Sequence, residues 1–149
     1  MLIPQQQYRE ILNLVPIVCV DLCIRHKNKL LLIKRDNEPE KGKWWLPGGR
    51  LLKHETLEQC AWRKLKEETN LENGKILCRV GPYETMFEEA PFGITTGVHS
   101  VNVAFLIEVD DISTLKFDTN HSGAQWFDKM NTAWHPYLKQ VLQNCKFFK

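Results

Sequence analysis

Residues 49–71 read GRLLKHETLEQCAWRKLKEETNL, and the fold can be worked out from how this stretch must arrange itself. Thr56 and Gln59 are spaced as a capping box, in which each side chain satisfies a free backbone N–H at a helix start. Leu57, Cys60, Ala61 and Leu65 then fall on one helical face, which predicts a helix packed by that face. Asn70 stands where it should end, as the common alternative to glycine in a left-handed cap. Glu67 and Glu68 lie near the end of this helix, with Lys64 one turn before Glu68. Arg63, four residues before Glu67, is placed to orient that carboxylate. Gly48 and Gly49 precede the helix and let backbone carbonyls approach a ligand closely. Hard oxygen donors of this kind suit Mg²⁺, which takes few protein carboxylates and shares its shell with phosphates. Charged outer faces with EE pairs are common on helices. The fixed spacing of glycine, arginine and glutamates is not.

On the N-terminal side, Pro4 to Leu14 reads as a short helix with Tyr8, Ile11 and Leu12 at helical spacing. Ile17 to Ile24 reads as a strand, residues 25–29 as a polar turn and Leu30 to Lys34 as the second arm of a hairpin. Residues 36–43 are a loop, and Trp44 to Pro47 a brief extended piece entering Gly48-Gly49. On the C-terminal side, Ile76 to Val80 and His99 to Val109 read as strands. The segment between them, with Pro91, Gly93 and Gly97, reads as a long loop of the sort that often carries function. Gln125 to Phe127 is a short strand and Trp134 to Cys145 a closing helix. No repeat or linker divides the 149 residues, so a single α/β domain in layers is expected over 1–149.

Composition narrows the function classes. Apolar residues make up 43% and charged residues 26%, an ordinary globular balance, and the net charge of +2 argues for neither nucleic acid nor membrane as partner. Cysteines 19, 23, 60, 78 and 145 are odd in number, form no CxxC and have no metal-ligand spacing with histidine. They read as small buried hydrophobes of a reducing compartment. The start MLIPQQQYRE lacks a signal-peptide pattern, so cytoplasmic residence is the expectation.

The stretch resembles the box of the Nudix hydrolases, G-x5-E-x7-R-E-U-x-E-E-x-G-U, where U is bulky and apolar. Gly49, Glu55, Arg63, Leu65, Glu67, Glu68 and Leu71 fall in register. Lys64 replaces a glutamate and Asn70 the glycine. The resemblance implies an α/β/α sandwich around a mixed sheet, with α+β character and the box as a loop-helix. It also implies a divalent cation, Mg²⁺ or its substitute Mn²⁺, and a nucleoside diphosphate derivative as substrate.

Within that superfamily the chain resembles the GDP-mannose mannosyl hydrolase branch over about residues 5 to 130. The matching stretches are Pro16 to Asp21, Leu31 to Arg35, Gly42 to Arg50, Glu55 to Glu58, and Asn120-His121 followed by Trp126. That branch also lacks the glutamate replaced by Lys64. The resemblance implies one Mg²⁺ held by Glu68, the Gly48 carbonyl and the amide of Asn120, where the branch has the longer Gln. It assigns His121 as general base, Arg35 and Arg50 to the diphosphate, and Asp21 to the sugar. Water would attack the sugar C1 and release nucleoside diphosphate. An arginine's rigid fork suits a diphosphate, and a histidine accepts a proton at neutral pH.

Other features leave alternatives open. Ser100 takes the place of an aromatic hydroxyl, and the loop MFEEAPFGITTG differs from the branch. Glu67 is an additional carboxylate for metal, compatible with two metals and attack at phosphorus, as in a Nudix pyrophosphatase. A nucleotide-binding regulator without turnover is the third reading. His99 near the loop is a weaker substrate contact, Lys64 a candidate cation for phosphate, and Trp44 and Trp45 core and wall. The resemblance further implies a homodimer in which the N-terminal segment crosses to the partner. Leu2, Ile3, Tyr8 and Ile11 suit that arrangement and equally suit docking on the same chain.

Overall fold

The computed structural model describes residues 3–117 and 123–148. In chain order the elements are α1 (Gln5–Leu14), β1 (Ile17–His26), β2 (Lys29–Lys34), β3 (Trp44–Trp45), β4 (Gly48–Arg50), α2 (Leu57–Thr69), β5 (Lys75–Phe87), β6 (Val98–Glu108), β7 (Gly123–Phe127) and α3 (Pro136–Asn144). The strands form one mixed sheet in the order β3-β2-β1-β6-β5, with β4 paired to β1 and β7 to β2. Only β1 and β6 run parallel among the described pairs.

Strand alternation divides the core into two layers. Val20, Leu22 and Ile24 of β1 join Val103, Phe105 and Ile107 of β6 beneath Cys60, Ala61 and Leu65 of α2. Cys23 of β1 and Ala104 and Leu106 of β6 face the other way, against Tyr137, Leu138, Val141 and Leu142 of α3. This is the α/β/α sandwich expected. Each fully buried leucine in these layers contributes roughly 1.5–3 kcal/mol by leaving water. The layers therefore hold α2, and the residues it carries, rigidly to the sheet. Helix α1 belongs to neither layer; Leu12 packs with Ile94 and Val98 in a separate small cluster.

The capping box at Thr56 is formed in both directions, and Asn70 adopts the left-handed conformation at φ 61°. Element ends differ from the sequence reading in several places, and β7 begins two residues earlier, at Gly123. The first hairpin is tighter, with Lys27 and Asn28 at positive φ as its turn. The extended piece after Trp44 divides into β3 and β4, because Gly48 to Arg50 leave β2 and pair with β1. Helix α3 is shorter, beginning at Pro136. The largest difference is β5, which runs seven residues past Val80 to Phe87 and shortens the loop correspondingly. Gly81-Pro82 reads as a turn in sequence, yet a register shift between Val80 and Tyr83 absorbs it without ending the strand. As the last strand of the sheet order, β5 tolerates a proline that lacks an N–H.

Candidate active site

The register of β4 against β1 sets Gly48 opposite Asp21 and Arg50 opposite Cys19. A pocket of about 270 Å³ opens at this junction, lined by Asp21, Arg35, Gly48, Gly49, Arg50 and Glu68, with Tyr8 and Leu12 of α1 at one side. Strands β5 and β6 add Thr85, Ser100 and Asn102. The sequence-predicted residues Asp21, Arg35, Gly48, Arg50 and Glu68 thus meet in one cavity. Asn120 and His121 lie outside the described residues.

A single arginine ties the loop before α2 to the helix. Arg63 Nε donates to Glu55 Oε2 at 2.6 Å and Nη2 to Glu55 Oε1 at 3.0 Å, a bidentate pair. Nη2 also reaches the Arg50 carbonyl at 3.0 Å, and Nη1 reaches Glu67 at 3.1 Å. The Arg63 guanidinium holds the Glu55 carboxyl down at about 2, against a smaller opposing effect of burial. Glu55 is thereby a structural residue that fixes where Arg50 leaves the sheet.

The two carboxylates at the helix end differ. Glu68 is 7% exposed and lines the pocket, whereas the Glu67 side chain is 46% exposed and turned to Arg63 and Lys64. Burial pushes Glu67 up, but its bonds from Arg63 and Lys64 prevail and lower its pKa. The Lys64 ammonium sits 2.9 Å from Glu68 Oε1 and 3.1 Å from Glu67 Oε2. It lies against Gly49, where an added Cβ would come within 2.7 Å of Lys64 Cε.

A buried chain of hydrogen bonds runs behind and into the pocket lining. Tyr137 Oη donates to Asp21 Oδ2 at 2.5 Å, and Asn102 Nδ2 donates to the same oxygen at 3.3 Å. Thr85 Oγ1 donates to Asn102 Oδ1 at 3.1 Å and lies 2.7 Å from Ser100 Oγ. Burial raises the Asp21 carboxyl to about 6, against the lowering effects of Tyr137, Asn102 and Arg35. Burial and the nearby Asp21 push the Tyr137 hydroxyl far up, so it remains a donor. Burial likewise raises the Cys19 thiol to about 12, which keeps it protonated and inert.

The arginines are held differently. Arg35 Nε donates to the Pro39 carbonyl at 2.6 Å, and burial lowers its pKa, opposed by Asp21. The Arg50 guanidinium lies 4.7 Å from the Tyr8 ring centre, a cation–π contact that docks α1 over the site. Tyr8 in turn meets Phe92 edge-on at 6.2 Å. Trp45 lines the wall and stacks on Tyr137, as a wall residue should. His99 lies between Val98 and Ser100, which both line the pocket, so alternation turns it to the other face.

Tyr137, Asn102 and Thr85 were not foreseen. For Asn102 a signal existed: with Ser100 it forms a polar pair two residues apart, on one face of a largely apolar strand. Nothing local marks Tyr137, whose partner is 116 residues away.

Among the described residues, no group of three or more His, Cys, Asp or Glu is arranged to hold a metal ion. The donor set nevertheless fits one divalent cation. A largely buried carboxylate faces the cavity beside two glycines, and a positive charge, the Lys64 ammonium, already rests on it. No helix among these residues is long and apolar enough to cross a membrane.

A family model described as NUDIX domain matches residues 15–145. The low-salt glycan biosynthesis protein Agl8 of Haloferax volcanii is 35% identical over 140 residues, covering 94% of this chain and 88% of that one. An ADP-ribose pyrophosphatase of Methanocaldococcus jannaschii is 37% identical over 126 residues, 85% of this chain and 69% of its own. A MutT NUDIX hydrolase of Burkholderia pseudomallei superposes with a TM-score of 0.64 at 26% identity, over 87% of this chain and 97% of that one.

Proposed function

The chain belongs to the NUDIX domain family, and we propose that it hydrolyses a nucleotide sugar, releasing nucleoside diphosphate and free sugar. The observation that carries this reading is the mixed lining of one pocket, which holds Arg35, Arg50 and Glu68 together with Asp21, Asn102, Thr85 and Ser100. A diphosphate with its counter-ion suits the arginines and Glu68. The buried carboxylate, amide and hydroxyls suit a group rich in hydroxyls. The relative named for glycan biosynthesis is compatible with such a substrate.

Glu68, the Gly48 carbonyl and Asn120 would hold Mg²⁺, which when bound neutralises charge building on the leaving diphosphate. Arg35 and Arg50 would bind and orient the diphosphate oxygens, and Asp21 would hold a sugar hydroxyl. His121 takes the proton from water as the water oxygen bonds to C1. The C1–O bond breaks, and its electron pair leaves with the diphosphate. General-base help of this kind is worth about 10²–10⁴ in rate. Hydrolysis in ¹⁸O-water tests the proposal: label on the sugar supports it, and label on phosphate overturns it.

A second reading, cleavage of a P–O bond within the diphosphate, draws support from the relative named as an ADP-ribose pyrophosphatase. Under it the products are two monophosphate esters, and His121→Gln reduces turnover by less than about tenfold. A panel of nucleotide sugars with products identified by mass separates the two.

A further inference from the structure

The carboxylates of Glu67 and Glu68 are adjacent on α2 and share one cation in this structure, the Lys64 ammonium, at 3.1 and 2.9 Å. Three features fix that ammonium beside Glu68. Its side chain is only 15% exposed. It is one turn from Glu68, so no backbone change is needed to keep the pair. Gly49 leaves the space it fills, since a Cβ there would lie 3.0 Å from Nζ.

We propose that Lys64 is a built-in substitute for a second divalent cation: it neutralises the carboxylate pair from within the chain, competes with metal for Glu68, and limits the chain to one metal ion. A tethered ammonium acts at a high effective concentration, so an incoming ion must displace it from Glu68 before binding. Glu67, held by both Arg63 and Lys64, stays occupied and gives a second ion no carboxylate of its own. Lys64 is a positioning and charge-balancing residue in this role, with no contact to substrate required of it.

The inference rests on Glu68 being a metal ligand, and the test is chosen to keep the two claims apart. Chelator-treated protein, without nucleotide, is titrated with Mn²⁺ while free Mn²⁺ is followed by electron paramagnetic resonance. Wild type is expected to bind one ion per chain. Lys64→Met should tighten that binding by about tenfold or more, because the internal competitor is gone. Lys64→Arg should stay near wild type, and Lys64→Glu should gain a second ion. Two or more ions bound equally by wild type, or unchanged affinity in Lys64→Met, overturns the proposal. Glu68→Gln serves as the reference. If it binds Mn²⁺ like wild type, the ligand assignment itself fails. If it loses binding while Lys64→Met does nothing, the lysine proposal alone fails. No substrate enters the titration, so an error in the sugar assignment leaves its outcome intact.

Discussion

Tyr137 on the last helix donates its hydroxyl to Asp21 on the first strand, so a late element of the sequence acts on a pocket residue from an early one. The bond lowers an Asp21 pKa that burial has raised, and the balance leaves it at about 6.

Removing that hydroxyl tests the balance. In Tyr137→Phe, Asp21 keeps Asn102 but loses its shortest donor, so its pKa climbs further, by roughly one unit. If Asp21 acts as a carboxylate, the acid limb of the pH–rate profile moves up with it. At neutral pH the fold should lose about 1–2 kcal/mol by denaturant titration. A profile that keeps its acid limb removes Asp21 from the catalytic reading.

Asp21→Asn should separate stability from activity. A carboxyl whose folded pKa lies above its unfolded value of 3.8 favours the fold when protonated. That contribution is complete below pH 3.8 and is lost as pH rises through about 6. An amide oxygen accepts from Tyr137 and Asn102 without a buried charge. At pH 7 the variant should therefore be more stable, by roughly 2–3 kcal/mol at about 1.4 kcal/mol per unit, with reduced turnover. Equal stability of the two proteins at pH 7 would count against a raised Asp21.

The brace before α2 makes the opposite prediction. Glu55 is held at about 2, so its contribution is present above the unfolded carboxylate range and lost as pH falls through 2. Arg63→Ala should cost about 1–3 kcal/mol at pH 7 and make stability less dependent on pH between about 2 and 4. Arg63→Lys should recover little, because one ammonium cannot replace a fork bonded to Glu55, Glu67 and the Arg50 carbonyl. Thermal melts across pH measure both.

The paired glycines should behave unlike each other. A Cβ at Gly48 would stand 2.2 Å from the Val20 carbonyl oxygen, which the sheet fixes, so Gly48→Ala should lose about 2 kcal/mol or more. A Cβ at Gly49 meets only the flexible end of Lys64 at its closest approaches. Gly49→Ala should fold with near-normal stability yet displace the ammonium and tighten Mn²⁺ binding, as is expected of Lys64→Met. Equal destabilisation by the two alanines would contradict this.

How much of this was legible depended on the range of the cause. Helix α2 announced itself because its cap, its buried face and its charged end lie within fifteen residues of each other. The family resemblance placed Arg35, Arg50 and Asp21 at one site, the chemistry of the helix and its glycine pair also pointed to Gly48 and Glu68, and all five line one cavity. The far half of β5 was hidden because Gly81-Pro82 has local turn chemistry that only the pairing with β6 overrides. Tyr137 and Thr85 were hidden for the same reason: their partners are distant in sequence and close only after the sheet has formed. Asn120 and His121, outside the described residues, remain assignments by resemblance.

A lysine codon becomes a glutamate codon by a change in its first base. The pair Glu67 and Glu68 is thus one nucleotide from a trio of carboxylates on the same helix. A side chain at position 49 would press on the end of Lys64. Under the one-ion proposal, a single base change at position 64 would therefore be enough to open the site to a second ion.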